Sequence, residues 1–133
     1  MGNWRNSLEI AIRNLLIGTT DIKSLVGARC YIGELASIQR PALPCITFKI
    51  IISSGFLEFH RGNMRFWVWA ETHDSASTIF EKLEATLNHA LLNETLININ
   101  MEANYDTDEY FDTETKLYAR VGSFAFRATE AAT

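Results

Sequence analysis

The sequence predicts an α+β fold: an antiparallel sheet of about four to five strands with a long helix and an N-terminal helix packed on one face. Three observations predict it. Residues 65–92 pass from an alternating strand into one amphipathic helix, residues 45–53 form a dense β-branched run, and most strand-like segments follow one another directly, which favours antiparallel pairing.

Trp4, Leu8, Ile12, Leu15 and Leu16 recur at helical spacing, and Gly18 supplies a stop. Thr20 and Asp21 then offer caps to a very short helix through Ile22, Leu25 and Val26, closed by Gly27. Residues 29–35 read as a short strand, and residues 36–44 as a loop punctuated by Pro41 and Pro44. In the next strand Ile46, Phe48, Ile50 and Ile52 take the core side, with Cys45, Thr47, Lys49 and Ile51 opposite. Residues 54–63 read as a long hairpin loop or extended arm holding Phe56, Leu57, Phe59, His60 and Arg61.

Phe66, Val68 and Ala70 then point to one side of a strand, and Arg65, Trp67 and Trp69 to the other. Asp74 is the expected helix cap, and Ile79, Phe80, Leu83, Leu87, Ala90 and Leu91 form the stripe that follows. After a turn at 92–95, Ile97, Ile99 and Met101 alternate with Asn98, Asn100 and Glu102 as another strand. Residues 106–114 place five carboxylates in nine positions and read as an exposed acidic loop. The closing strand, 116–127, changes apolar parity from Leu117, Ala119 and Val121 to Phe124 and Phe126, so a bulge is expected at Gly122. Residues 128–133 read as an unanchored, disordered tail of one domain spanning 1–133.

A length of 133 residues with 47% hydrophobic composition allows a core that holds without disulfides or metals. A net charge of −4, with a pI near 5.3 and no basic block, argues against general affinity for nucleic acid. No apolar run approaches the roughly 20 residues that cross a bilayer. Glu9 and Arg13 interrupt any signal core, so the chain reads as cytoplasmic. Ser7 stands one place late for the myristoylation pattern begun by Gly2.

Cys30 and Cys45 lack metal-ligand spacing and read as two buried, reduced thiols, the alternative being a disulfide between them if their strands are neighbours. His60, His73 and His89 show no paired-ligand spacing, and no nucleophile elbow or phosphate loop occurs. The acidic stretch lacks the glycine of a calcium loop. No catalytic residue, metal or cofactor is therefore expected, and no enzymatic activity. Phe56, Leu57, Phe59, His60, Arg61, Trp67 and Trp69 stand out as candidate interface residues, because together they would form a patch larger than scattered exposed hydrophobics.

The opening helix, the segment DIKSLVGARCYIGEL, the strand PALPCITFKI introduced by a proline, the run RFWVWAETHDSASTIFEKLEATLNHALL, and the polar strand, acidic turn and closing strand that follow resemble the tail terminator (tail completion) proteins of long-tailed phages and gene transfer particles. The resemblance spreads over almost the whole chain and lies in segment order, with no catalytic motif. It implies a homo-oligomeric ring, a hexamer, at the head-proximal end of the tail tube in the virion. Such a ring stops tube polymerisation and joins head completion or connector proteins, and DNA passes through its lumen without being read. The implied partners are thus the tail tube protein and a head connector, with no membrane. Other readings are a head-tail stopper, a tube subunit, or a small-ligand-binding α+β domain.

Overall fold

The computed structural model describes residues 4–33, 43–56, 59–94 and 97–130, with residues 52–56 described as backbone. The predicted loop residues 36–42, Leu57, Thr95, Gly2 and the tail residues 131–133 lie outside these. The elements run α1 (Trp4–Gly18), α2 (Thr20–Val26), β1 (Cys30–Ile32), β2 (Cys45–Phe56), β3 (Phe59–Ala70), α3 (His73–Leu87), β4 (Leu91–Asn93), β5 (Ile97–Asp112) and β6 (Leu117–Glu130). The class is α+β, as predicted, but the sheet is mixed and six-stranded, in the order β1-β2-β3-β6-β5-β4.

Two short strands account for the difference. β1 joins β2 in parallel, with Cys30 beside Ile46, and every other pairing is antiparallel. β4 arises because α3 ends sooner than its apolar pattern implies. Asn88 terminates the helix, His89 takes a positive φ of 59°, and Leu91 leaves the stripe to stand 70% exposed in a strand. Leu91 has the right type for a helical stripe but arrives after the chain has turned.

All three helices bury their apolar sides on one face of the sheet. Leu8, Ala11, Ile12 and Leu16 of α1, Ile22 and Val26 of α2, and Ala76, Ile79, Phe80, Leu83 and Leu87 of α3 join one core with Ile46, Phe48, Ile50, Met64, Phe66 and Val68. Each large side chain buried there contributes roughly 1.5–3 kcal/mol by removal from water. Phe66 is the hinge of the aromatic packing, stacked on Phe48 at 5.2 Å and edge-on to Phe124 at 5.4 Å.

The cap of α3 is Thr72, whose hydroxyl accepts from the Ser75 amide at 3.2 Å; Asp74 sits within the first turn instead. Thr72 holds the extended backbone a capping residue needs, so it takes the role and leaves Asp74 to favour the helix by charge alone.

The expected bulge at Gly122 is not in β6. Pairing of β3 with β6 is continuous from Phe59↔Thr129 to Ala70↔Tyr118, and the register shifts lie in β5, between Met101 and Asn104 and between Asn104 and Asp106. The parity change has another cause: β6 is buried on both faces, with Leu117, Ala119 and Val121 in a second cluster and Phe124, Phe126 and Ala128 in the main core. Asn104 organises the bulge that does exist. Its Oδ1 accepts from the amides of Asp106 and Ser123, each at 3.2 Å, its own amide donates to Asn88 Oδ1 at 2.9 Å, and its Nδ2 donates to Glu84 Oε2 at 2.9 Å and to Thr107.

Three segments read as irregular are strands. Residues 54–56 and 59–63 complete the β2–β3 hairpin, the acidic stretch 106–112 is the second half of β5, and residues 128–130 of the supposed tail finish β6, with Thr129 paired to Phe59.

Candidate assembly surface

The antiparallel registers determine which residues share the face opposite the helices. Trp67 pairs with Thr47 on one side and Val121 on the other, Trp69 with Cys45 and Ala119, and Arg65 with Lys49 and Ser123. No helix residue belongs to the apolar cluster on this face, which is built from Cys45, Trp69, Leu117, Ala119 and Val121, with Tyr31, Leu43 and Trp67 against it.

The two tryptophans differ. Trp69 is only 7% exposed, and its indole N–H donates to Thr47 Oγ1 at 3.0 Å. A second small core thus covers Trp69, and Tyr110 of β5 meets it edge-on at 6.2 Å. Trp67 is half-buried, with Lys49 Nζ 5.7 Å and the Arg65 guanidinium 5.6 Å from its ring. Each such cation contact is worth about 0.5–1 kcal/mol at an exposed site. Burial, then the Asp112 carboxylate, push the Tyr110 hydroxyl above its ordinary pKa, against a side-chain hydrogen bond with Trp67.

Lower on the same face the charge is positive. Arg61 stands directly across from Arg127, and Lys49 across from Arg65. Like charges in opposed strand positions are unfavourable unless other groups offset them. Asp106 answers Arg65 at 3.2 Å, and Arg65 also donates to Ser123 Oγ at 2.8 Å. A groove of about 310 Å³ lies between Arg61, Asn63, Glu102 and Arg127.

The predicted interface residues are thus divided by the fold. Phe59 is 56% exposed and Arg61 is exposed, both at the hairpin end of β3, where the Phe56 backbone is the register partner of Phe59, and Leu57 is outside the described residues. His60 belongs to the opposite face. Trp4 stacks on it at 3.7 Å, and its Nε2 lies 2.9 Å from Glu130 Oε2, so it ties α1 to the sheet. Trp67 and Trp69 lie at the far end of β3 from Phe59, and among the described side chains His60 is on the opposite face from Phe59, Arg61, Trp67 and Trp69.

A different seam joins the start of α3 to the β5–β6 hairpin. His73 Nε2 lies 3.0 Å and Arg120 Nη1 3.2 Å from Glu109 Oε2, and Arg120 also reaches Ser77 Oγ at 3.3 Å. The cavity beside them measures about 140 Å³, below the roughly 300–1,000 Å³ of ordinary ligand pockets. Glu109 meets both His73 and Arg120 there, while Arg120 Nε is buried without a hydrogen-bond partner among the described residues. Among the described residues no three His, Cys, Asp or Glu side chains converge as a metal site, and no helix is long and apolar enough to cross a membrane.

Cys30 and Cys45 are both free and buried, each in a different cluster on opposite faces of the sheet. Burial raises both thiols to about 11, away from the reactive thiolate.

No family model matches this chain, and no curated protein matches it. Solved structures do. A chain from the virion of a native gene transfer agent particle superposes with a TM-score of 0.73 at 12% identity, over 98% of this chain and 100% of that one. A second solved chain, known only by a number, gives a TM-score of 0.66 at 11% identity, over 98% and 96%. At these identities the likeness establishes the fold, and it runs end to end on both molecules.

Proposed function

We propose that this chain is a structural virion protein, a tail terminator that forms a ring on the tail tube, stops its polymerisation and offers the surface to which the head joins. The observation that carries this reading is the end-to-end likeness to a chain of a gene transfer agent virion. The segment order described above supports the finer assignment to the terminator rather than to a tube subunit or head-tail stopper. A structural role fits a molecule whose charged clusters are spent on holding its own elements together, as Glu109 is by His73 and Arg120.

In the mechanism we infer, function resides in surfaces. A homo-oligomeric ring, a hexamer, uses the exposed strand edges and the helix-free face to contact the next subunit, the tube protein and the head connector. DNA passes through the lumen unread, and a subunit of net charge −4 limits its retention there. Localisation follows as the head-tail junction of the virion.

Negative-stain electron microscopy of the purified protein, alone and with its tube protein, tests the reading. Rings that cap tubes of finite length support it. Open-ended tubes grown from this protein alone would make it a tube subunit instead.

A further inference from the structure

The sheet ends in two open edges of opposite charge. β1 pairs only with Ile46, Thr47 and Phe48, so the β2 backbone from Lys49 to Phe56 has no strand beyond it among the described residues. The Arg5 guanidinium takes one carbonyl there, that of Ile50, at 2.8 Å. On the other side β4 covers β5 only at Asn98, Ile99 and Asn100, which leaves 105–112 without an outer strand among the described residues. An open edge is a template for another chain, and charge is the common device that keeps it solvated.

Solvation alone does not account for these edges. Ile51 on the β2 edge is 46% exposed, and Tyr105, Tyr110 and Phe111 on the β5 edge are 59%, 41% and 47% exposed. Large apolar groups interleaved with charge are what a partner surface needs. The signs complement each other, because Arg5, Lys49 and Arg65 lie at or beside the β2 edge and Asp106, Asp108 and Asp112 lie on β5. Arg65 and Asp106 already make this pairing at 3.2 Å within one subunit.

Geometry adds a third point. β2 descends towards the hairpin end while β5 climbs away from it, since β3 and β6 between them alternate in direction. A second copy related by rotation about an axis along the strands therefore brings its β5 antiparallel to the first copy's β2. The open part of β2 lies in the lower half of the sheet and that of β5 in the upper half, so the copies meet with an offset. Such a stagger tilts strands against the ring axis, as shear does in a barrel.

We propose that the β5 edge of one copy, residues 105–112, pairs with the β2 edge of the next, residues 49–56, so that the sheet continues head to tail around the ring. The inference rests on the ring reading and specifies its interface. Because the two surfaces differ, the contact is heterologous, and closure depends on the rotation it imposes.

Carbodiimide, which joins a lysine amine to a carboxylate in contact with it, tests the pairing on an equimolar mixture of 14N- and 15N-labelled full-length protein, alone and with tube protein. Mixed-isotope links from Lys49 to Asp112, the β5 carboxylate that this antiparallel pairing sets opposite it, are expected. Lys49→Glu should convert rings to monomers with little change in melting temperature, and adding Asp112→Lys should restore rings. Rings without mixed-isotope links from Lys49 to Asp112, or rings undiminished in Lys49→Glu, overturn the edge pairing and leave the ring reading standing. Monomers under every condition overturn both.

Discussion

Phe80 of α3 lies on Gly122 of β6 so closely that a Cβ at that position would stand 2.4 Å from Phe80 Cζ and 2.8 Å from Cε2. This contact sets how near the long helix approaches the sheet. The Arg120 guanidinium 5.4 Å from the same ring closes it on a second side. Gly122→Ala must therefore push α3 away or drive Phe80 off its rotamer, a cost of about 1–3 kcal/mol. Urea unfolding should show the loss, and Phe80→Leu in the same chain should recover part of it. Equal stability of Gly122→Ala and the parent would refute the close approach.

Trp69 and Trp67 should respond differently to removal. Trp69→Ser opens a cavity in the second cluster and strands the Thr47 hydroxyl, and large-to-small changes of this kind cost about 3–5 kcal/mol. Trp67→Ser removes a half-buried ring and its cation contacts, so the monomer should lose less than half as much. Thermal melts of the two single variants decide the matter, and matching losses would show that the second cluster does not distinguish them.

Asn104 should hold the β5 bulge. Asn104→Ala leaves the Asp106 and Ser123 amides without their side-chain acceptor, and each unmet polar group costs about 1–3 kcal/mol when buried. Amide exchange at Ser123 should accelerate while exchange at Phe66 and Phe124 stays slow. Unchanged protection at Ser123 would count against the role of Asn104.

Stability should fall at high pH through the cysteines. Both thiols are raised from 9.0 to about 11 by burial, so the folded chain keeps protons that the unfolded chain releases. The unfolded state binds fewer protons in that window, and the slope of stability with pH is negative there. The contribution is fully present below about pH 9 and is lost as pH rises towards about 11. Urea midpoints measured across that range should fall more steeply in the parent than in Cys30→Ala/Cys45→Ala, and parallel slopes would contradict the assignment.

The legible part of this fold is the part written in one-sided patterns. Ile46, Phe48 and Ile50, or Ile79, Phe80 and Leu83, each reveal both an element and the face it buries, and α1 is equally plain. Patterns on two faces were harder to read. Leu117, Ala119 and Val121 pack on one side of β6 and Phe124 and Phe126 on the other, which in a bare sequence imitates a slipped register. The acidic half of β5 escaped because five carboxylates between 106 and 114 obscure the β-forming Thr107, Tyr110 and Phe111, and an edge strand needs no apolar alternation. The interface candidates divided for a related reason: sequence neighbours along one strand alternate between faces, which sent His60 under Trp4 and left Phe59 and Arg61 outside.

Native mass spectrometry of the purified protein, with and without its tube protein, tests the ring most directly. One closed species, a hexamer, that does not grow further as concentration rises is the expected result. A ladder of ever larger species, or monomers alone in both conditions, would contradict it.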